Sequence, residues 1–251
     1  MHRDFTDEGI VLNKYHMSEK TEVIELLSAE SGHIQVAFNG GKDHFLQPFS
    51  EIKGLFSKGR RELLHLSQIS IIRQWHFEED YDCFCWASYF LELFNKVACQ
   101  ADGPEEYEAF YQLLVDTLNN LQIYNNKGVA ISVWSLLRII KLLGIEPELD
   151  RCGYCGKDDI KYFDGILACA VCESCRKYSQ EYRRIINGVF ELICTFKKLN
   201  LSEAMTRKYI AKVYAGAELL LIDHLQDYGH VNLKTRRFLK IGDKNIESFR
   251  N

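Results

Sequence analysis

What the sequence lacks narrows its class first. No window of 18 residues is apolar and free of charge, and the opening stretch MHRDFTDEGIVL has no basic start followed by an apolar core. Membrane insertion and export are therefore not indicated, and the expectation is a cytoplasmic protein. Disulfides are rare in that reducing compartment, so nine cysteines need another explanation. There is no internal repeat and no low-complexity segment. The phosphate loop G-x-x-x-x-G-K-S/T, the protease helix H-E-x-x-H and the deaminase pair H-x-E with P-C-x-x-C are also missing, which speaks against an enzyme. What remains is ordinary globular composition, 47% hydrophobic and 26% charged over 251 residues, enough for two small domains or one large one.

Five of the nine cysteines fall within CGYCGKDDIKYFDGILACAVCESC, Cys152 to Cys175. Cys152 and Cys155 form one C-x-x-C pair, and the second pair is either Cys169 with Cys172 or Cys172 with Cys175. The latter leaves a spacer within the 15 to 20 residues usual for structural zinc sites, so Cys152, Cys155, Cys172 and Cys175 are the expected ligands, with Cys169 as the alternate. Four thiolates close the zinc shell and leave no open position for water, so one such zinc per chain supports folding and does not catalyse. Lys157, Lys161, Arg176 and Lys177 are near enough in sequence to offset the formal charge of −2. A thioredoxin-like redox pair is the competing reading, and the βαβ pattern that should surround it is missing. Cys83, Cys85, Cys99 and Cys194 lie in apolar or amphipathic runs, where cysteine acts as a small buried hydrophobe.

The organisation changes near residue 77. Before it come short β-rich runs, GIVLNKYH, TEVIELLS, HIQVAFN, PFSEIKGLF and LLHLSQISIIRQW, divided by turn signals at Glu30-Ser31-Gly32 and Gly40-Gly41. Alternation such as Ile34, Val36 and Phe38 suits a small antiparallel barrel of the OB type. After it, DYDCFCWASYFLELFNKVACQ and EEYEAFYQLLVDTLNNLQIY carry apolar groups at helical spacing and are separated by Gly103-Pro104. A third helix, VAISVWSLLRIIKLL, is expected to end at Gly144, with Pro147 preventing its continuation. YRRIINGVFELICTFKK and SEAMTRKYIAKVYAGAELLLIDHLQDY predict two or three more helices. The expected class is α+β multidomain: an OB-fold β-barrel over residues 1–77, then an all-α helical domain over 78–251 carrying a four-cysteine zinc knuckle at roughly residues 150–177.

The net charge of −4 hides an uneven distribution. The balances are −1 over residues 1–76, −10 over 77–175 and +7 over 176–251. A basic last third suits a phosphate-tracking surface or a receptor for an acidic peptide, against the ordinary alternative of solvated helix faces. Six of the eight histidines precede residue 77 without ligand spacing to one another.

In order along the chain come a GIVL strand, Glu30-Ser31-Gly32 before a strand, LQPF before another, KLLGIEPELDRCGYCG leading to a second cysteine pair, and LKTRRFL. This order resembles the bacterial DNA repair and recombination mediator family RecO over nearly the whole length. Leu143, Gly144, Pro147, Leu149, Cys152, Cys155 and Gly156 fall where that family has them, and its second cysteine pair falls on Cys172 and Cys175. Its usual Gly-Gly falls on Ala168-Cys169, so the fifth cysteine takes a small-residue position. The resemblance implies a non-enzymatic mediator with an OB-fold and a zinc knuckle, associated with the nucleoid. Such proteins bind single- and double-stranded DNA, anneal strands, work with RecR to load RecA, and dock the acidic tail of the single-stranded-DNA-binding protein.

On that basis Lys42, Lys53, Lys58, Arg60 and Arg61, with Phe38, Phe45, Phe49 and Phe56, are candidates for phosphate contact and base stacking, although at least two of the phenylalanines are expected in the barrel core. Lys234, Arg236 and Arg237, beside Leu233, Phe238 and Leu239, are candidates for the acidic tail. One departure weakens the first set. The loop ahead of LQPF, usually long and basic in this family, is here the short FNGGKDHF with only Lys42. The competing reading is a zinc-stabilised adaptor that binds proteins and has little DNA affinity.

Overall fold

The computed structural model describes residues 4–17, 21–38, 46–58 and 63–241. Five strands close a barrel: β1 (Phe5–His16), β2 (Glu22–Ser28), β3 (Gly32–Phe38), β4 (Ser50–Lys58) and β5 (Leu64–Gln74), in the order β1-β2-β3-β5-β4. β3 and β5 pair in parallel at Val36↔Leu64 and Ala37↔His65, and the other pairs are antiparallel. This OB-like closure leaves the barrel no free sheet edge along those pairings. Alternation supplies its core, in which Val11, Ile24, Leu26, Val36, Leu46, Ile52, Phe56 and Leu66 are buried.

The chain then turns helical, with α1 (Tyr81–Val97), α2 (Pro104–Ile123) and α3 (Gly128–Leu142). Asp80 starts α1 by accepting the amide of Cys83 at 3.0 Å, and Pro104 opens α2 at a position that needs no amide donor. Gly144, at φ +68°, ends α3 in the left-handed conformation, and the Ile145 amide reaches back to the Ile140 carbonyl at 3.1 Å. A four-stranded sheet follows in the order β6-β8-β7-β9, built from β6 (Glu148–Cys152), β7 (Ile160–Asp164), β8 (Cys169–Cys172) and β9 (Tyr182–Arg184). The last helices are α4 (Val189–Lys198), α5 (Leu201–Thr206) and α6 (Ala211–Gly229), and a 3-10 turn spans Thr235–Phe238.

One expectation is corrected. The sequence pattern predicts helix from Tyr182 onward, but Tyr182–Arg184 form β9 against β7, and α4 starts only after Gly188 at φ +91°. The exposed edge of β7 captures the segment, so pairing overrides a weak helical pattern.

The described fold separates into two compact units, Met1–Asn125 with Leu233–Leu239, and Asn126–Asn232 with the remaining C-terminal residues. In the first, α1 and α2 close on the barrel through polar latches. The Tyr111 hydroxyl donates to Glu51 at 2.7 Å, the Trp75 indole to Asn119 at 2.9 Å, and the Asn95 amide to Glu25 at 2.8 Å. Gly32, at φ +70°, passes beneath Tyr107, where a Cβ would lie 2.6 Å from the ring. In the second, Arg138 on α3 caps the C-terminal end of α4 by donating to Phe196 and Leu199 carbonyls at 2.9 and 2.5 Å, while stacking on Trp134. Among the described residues no helix is long and apolar enough to cross a membrane.

Candidate metal centre and nucleic-acid surfaces

The sheet of the second unit exists to hold two turns. Cys152 ends β6 and Cys155 follows in its turn, where Gly156 at φ +72° lets its amide return to the Cys152 carbonyl at 2.8 Å. Cys172 ends β8, and the Cys175 amide returns to the Cys172 carbonyl at 3.2 Å. These two turns bring the ligand atoms of Cys152, Cys155, Cys172 and Cys175 all within 4.8 Å of one another. A tetrahedron with metal–sulfur arms of about 2.3 Å has edges of about 3.8 Å. The Cys155–Cys172 sulfur separation is 3.7 Å.

The ionisation of the cluster is compatible with a bound cation. Burial opposes ionisation of Cys152, but the amides of Cys172, Tyr154 and Cys155 outweigh it and bring the thiol down to about 6. Burial and then hydrogen bonds that its own thiol donates to the neighbouring sulfurs push Cys175 up to about 12. Four thiols this close cannot all ionise unaided, whereas a metal dication at their centre lets them do so. The donor set therefore fits a closed structural metal.

Cys169 stays outside the cluster. Its thiol lies over Gly153, where a Cβ would come within 2.6 Å of the sulfur, and burial followed by Asp164 pushes it up to about 11. Glycine at 153 and a small side chain at 169 are thus one packing solution. Of the expected charge-offsetting groups, Lys161 pairs with Asp159 at 3.2 Å and Arg176 with Glu173 at 3.3 Å. Cys83 and Cys85 are buried as expected and Cys194 is half-buried, whereas Cys99 departs from the buried reading and is exposed in the short 3-10 turn after α1, its thiol donating to the Asn95 carbonyl at 3.2 Å.

The barrel candidates divide. Lys53 and Lys58 lie exposed on β4, and Lys53 pairs with Glu8 at 3.0 Å. Lys42, Phe45, Arg60, Arg61 and the Gly40-Gly41 turn lie outside the described residues. Phe56 is buried in the barrel core and stacked on Phe5 at 5.4 Å, Phe38 is half-buried against that core, and Phe49 is buried outside it, edge-on to Phe77 and Phe84 at 5.4 and 6.0 Å.

Arg236 and Arg237 lie in the 3-10 turn near the C-terminus and Lys234 directly precedes it; the turn belongs to the first unit, whereas α6 belongs to the second. Glu92 on α1 accepts the amides of Lys234 and Thr235 and the Thr235 hydroxyl, and Leu233 is buried. Phe238 is half exposed, with the Arg237 guanidinium 4.7 Å from its centroid. The second unit has a separate apolar cleft lined by Ile185, Ile186, Val189, Leu219 and Leu220, together with Arg183, Arg184 and Lys212. In the sequence Arg183-Arg184 and Lys212 lie far apart. Only the fold of β9 against α6 gathers them, and the Arg183–Asp223 bond of 2.6 Å fixes one edge.

Comparison with known proteins covers both halves. The family model for the recombination protein O N-terminal domain matches residues 1–75, and that for its C-terminal domain matches residues 78–236. Among relatives, a DNA repair protein RecO of Caldanaerobacter subterraneus subsp. tengcongensis is 23% identical over 248 residues, covering 94% of this chain and 98% of the relative. One from Bacillus pumilus is 25% identical over 251 residues, covering 92% of each. One from Thermoanaerobacter is 23% identical over 240 residues, covering 92% of this chain and 95% of the relative. With a closed OB-like barrel in the first half, a four-cysteine cluster in the second and family matches along both, the chain belongs to the RecO family of DNA repair proteins.

Proposed function

We propose that the chain is a non-enzymatic mediator of homologous recombination, which binds single- and double-stranded DNA, anneals complementary strands and, with RecR, helps load RecA onto DNA coated by the single-stranded-DNA-binding protein. The observation that carries this reading is the family match through both domains, residues 1–75 and 78–236. In this reading the protein works in the cytoplasm at the nucleoid. Cys152, Cys155, Cys172 and Cys175 hold one structural zinc, which supplies folding free energy and rigidity to the sheet and no reaction step. Single strands contact Lys53 and Lys58 together with Lys42, Arg60 and Arg61. The barrel is near neutral overall, so C-terminal cations add to phosphate contact.

The acidic tail of the single-stranded-DNA-binding protein docks on the basic C-terminal third, with Lys234, Arg236 and Arg237 as its cations and Phe238 as apolar contact. A second location is favoured by one observation: the cleft around Ile186, Leu219 and Leu220 has three cations in its lining, the pairing that an acidic peptide with an apolar end requires.

A salt titration of binding to a labelled single strand tests the reading against the adaptor alternative. Phosphate contacts give a slope of about −0.7 per contact in log affinity against log salt. A steep slope supports DNA contact. Absence of binding at low salt leaves the protein adaptor as the better description.

A further inference from the structure

Residues 176–184 read Arg-Lys-Tyr-Ser-Gln-Glu-Tyr-Arg-Arg, four cations and one carboxylate around two tyrosines. The 3-10 turn Arg176–Tyr178 begins directly after Cys175, and β9 is pinned to β7, so both tyrosines are carried on fixed backbone. Tyr178 is 61% exposed and Tyr182 45% exposed. A large ring left this open contributes little to the core that its neighbours build.

The rings are nevertheless oriented. Tyr154 lies 6.3 Å from Tyr178 at an interplanar angle of 31°, with its own hydroxyl held by Asp164 at 2.8 Å. The Lys177 ammonium sits 5.0 Å from the Tyr178 centroid. Tyr182 meets Tyr162 edge-on at 5.5 Å, and the Arg176 guanidinium lies 5.6 Å from the Tyr182 centroid. Arg176 is partly matched by Glu173, whereas Lys177 and Arg184 are exposed. Open aromatic faces interleaved with cations on a rigid support are the pattern that binds unpaired bases and their phosphates.

We propose that this face of the cysteine-rich sheet is a stacking platform for single-stranded nucleic acid, with bases on Tyr178 and Tyr182 and phosphates at Lys177 and Arg184. The proposal rests on the DNA-binding reading above and adds a surface separate from the barrel lysines. Duplex bases are already stacked and paired, so the platform selects single strands. Every base offers a π-face, so it reads no sequence. An acidic peptide would use the cations but gain little from the ring faces, and this difference separates the two ligands.

The test uses the full-length, metal-loaded protein and an oligothymidylate carrying 5-iodouracil, irradiated and mapped by peptide mass, alongside equilibrium binding of plain and abasic strands of equal length. The expected cross-link is at Tyr178 or Tyr182. Tyr178→Ala should weaken binding of the plain strand about tenfold, the size of one lost base stack. Tyr178→Phe should restore it, and the abasic strand should not distinguish wild type from Tyr178→Ala. Metal content and circular dichroism report whether Tyr178→Ala is folded, and the wild-type cross-link does not depend on any variant. A cross-link confined to other residues, or equal loss on plain and abasic strands, overturns the platform. Strand binding that falls in Arg60→Ala/Arg61→Ala and is untouched in Tyr178→Ala overturns the platform alone. Failure of the wild type to bind any strand overturns the DNA-binding reading with it.

Discussion

The Tyr111 hydroxyl on α2 donates to the Glu51 carboxylate on β4 at 2.7 Å, and Arg73 on β5 approaches the same carboxylate at 3.4 Å. Burial first, and then the anionic acceptor, raise Tyr111 well above the ordinary phenol range, so the hydroxyl remains a donor at every physiological pH. Glu51 is itself buried. Tyr111→Phe therefore leaves a buried carboxylate oxygen with one partner fewer and should cost about 1–3 kcal/mol. Chemical denaturation of wild type and variant gives the difference. A change below about 0.5 kcal/mol would show that Arg73 alone satisfies the carboxylate.

Zinc should be present at one equivalent per chain, and Cys155→Ser should release it and lower Tm. Isolated zinc-finger peptides gain roughly 10–16 kcal/mol from the metal, an upper bound for a unit that also has helical cores. Cys169→Ser should keep its metal. Elemental analysis of the two variants decides, and metal loss in Cys169→Ser alone would reverse the assignment of ligands.

Burial works against the charge on Glu92, but the Thr235 hydroxyl, the Lys234 and Thr235 amides and Lys96 outweigh it and lower its pKa. A lowered folded pKa means that the carboxylate's contribution is complete above the ordinary carboxyl value of 4.5 and is lost as pH falls through the folded value. Acid should loosen the Lys234–Phe238 turn before the barrel melts. Hydrogen exchange of the Lys234 and Thr235 amides, corrected for intrinsic rate, should show severalfold less protection below pH 4 than at pH 7, and Glu92→Gln should remove most of that dependence. Equal protection at both pH values would contradict the assignment.

Arg236→Glu/Arg237→Glu should weaken binding of the isolated acidic tail peptide about tenfold or more, since reversing two charges turns attraction into repulsion. Calorimetric titration, with circular dichroism as the folding control, is the measurement. Equal affinity, together with loss in Arg184→Glu/Lys212→Glu, would move the tail to the apolar cleft of the second unit.

The barrel was legible because its strands alternate and Gly32 marks the β2–β3 turn, and the cysteine cluster because two C-x-x-C pairs at the right spacing allow few other chemistries. Gly144 announced the end of α3 in the same way. The missing parts depend on contacts distant in sequence. Tyr182–Arg184 look helical until the edge of β7 is there to pair with them. The capping of Thr235 by Glu92 joins residues 143 positions apart, which no local pattern encodes. Phe49 and Phe56 carry the same letters whether they stack on bases or pack inside the protein, and only the fold puts Phe56 in the barrel core and Phe49 against Phe77 and Phe84.

The return of Leu233–Leu239 to the first compact unit has a consequence for the order of synthesis. A nascent chain released up to Asn125 has the barrel strands and the two helices that latch onto it, yet Glu92 still lacks the amides it will accept. Those amides emerge only after more than a hundred further residues have left the ribosome, and closing a loop that long carries an entropic cost that grows slowly with length. The contacts of α1 are thus completed only after residues 126–232 have been made, and a chain truncated before Leu233 would carry an incompletely satisfied α1. The Glu92 contact therefore forms only once the intervening cysteine-cluster region has been synthesised.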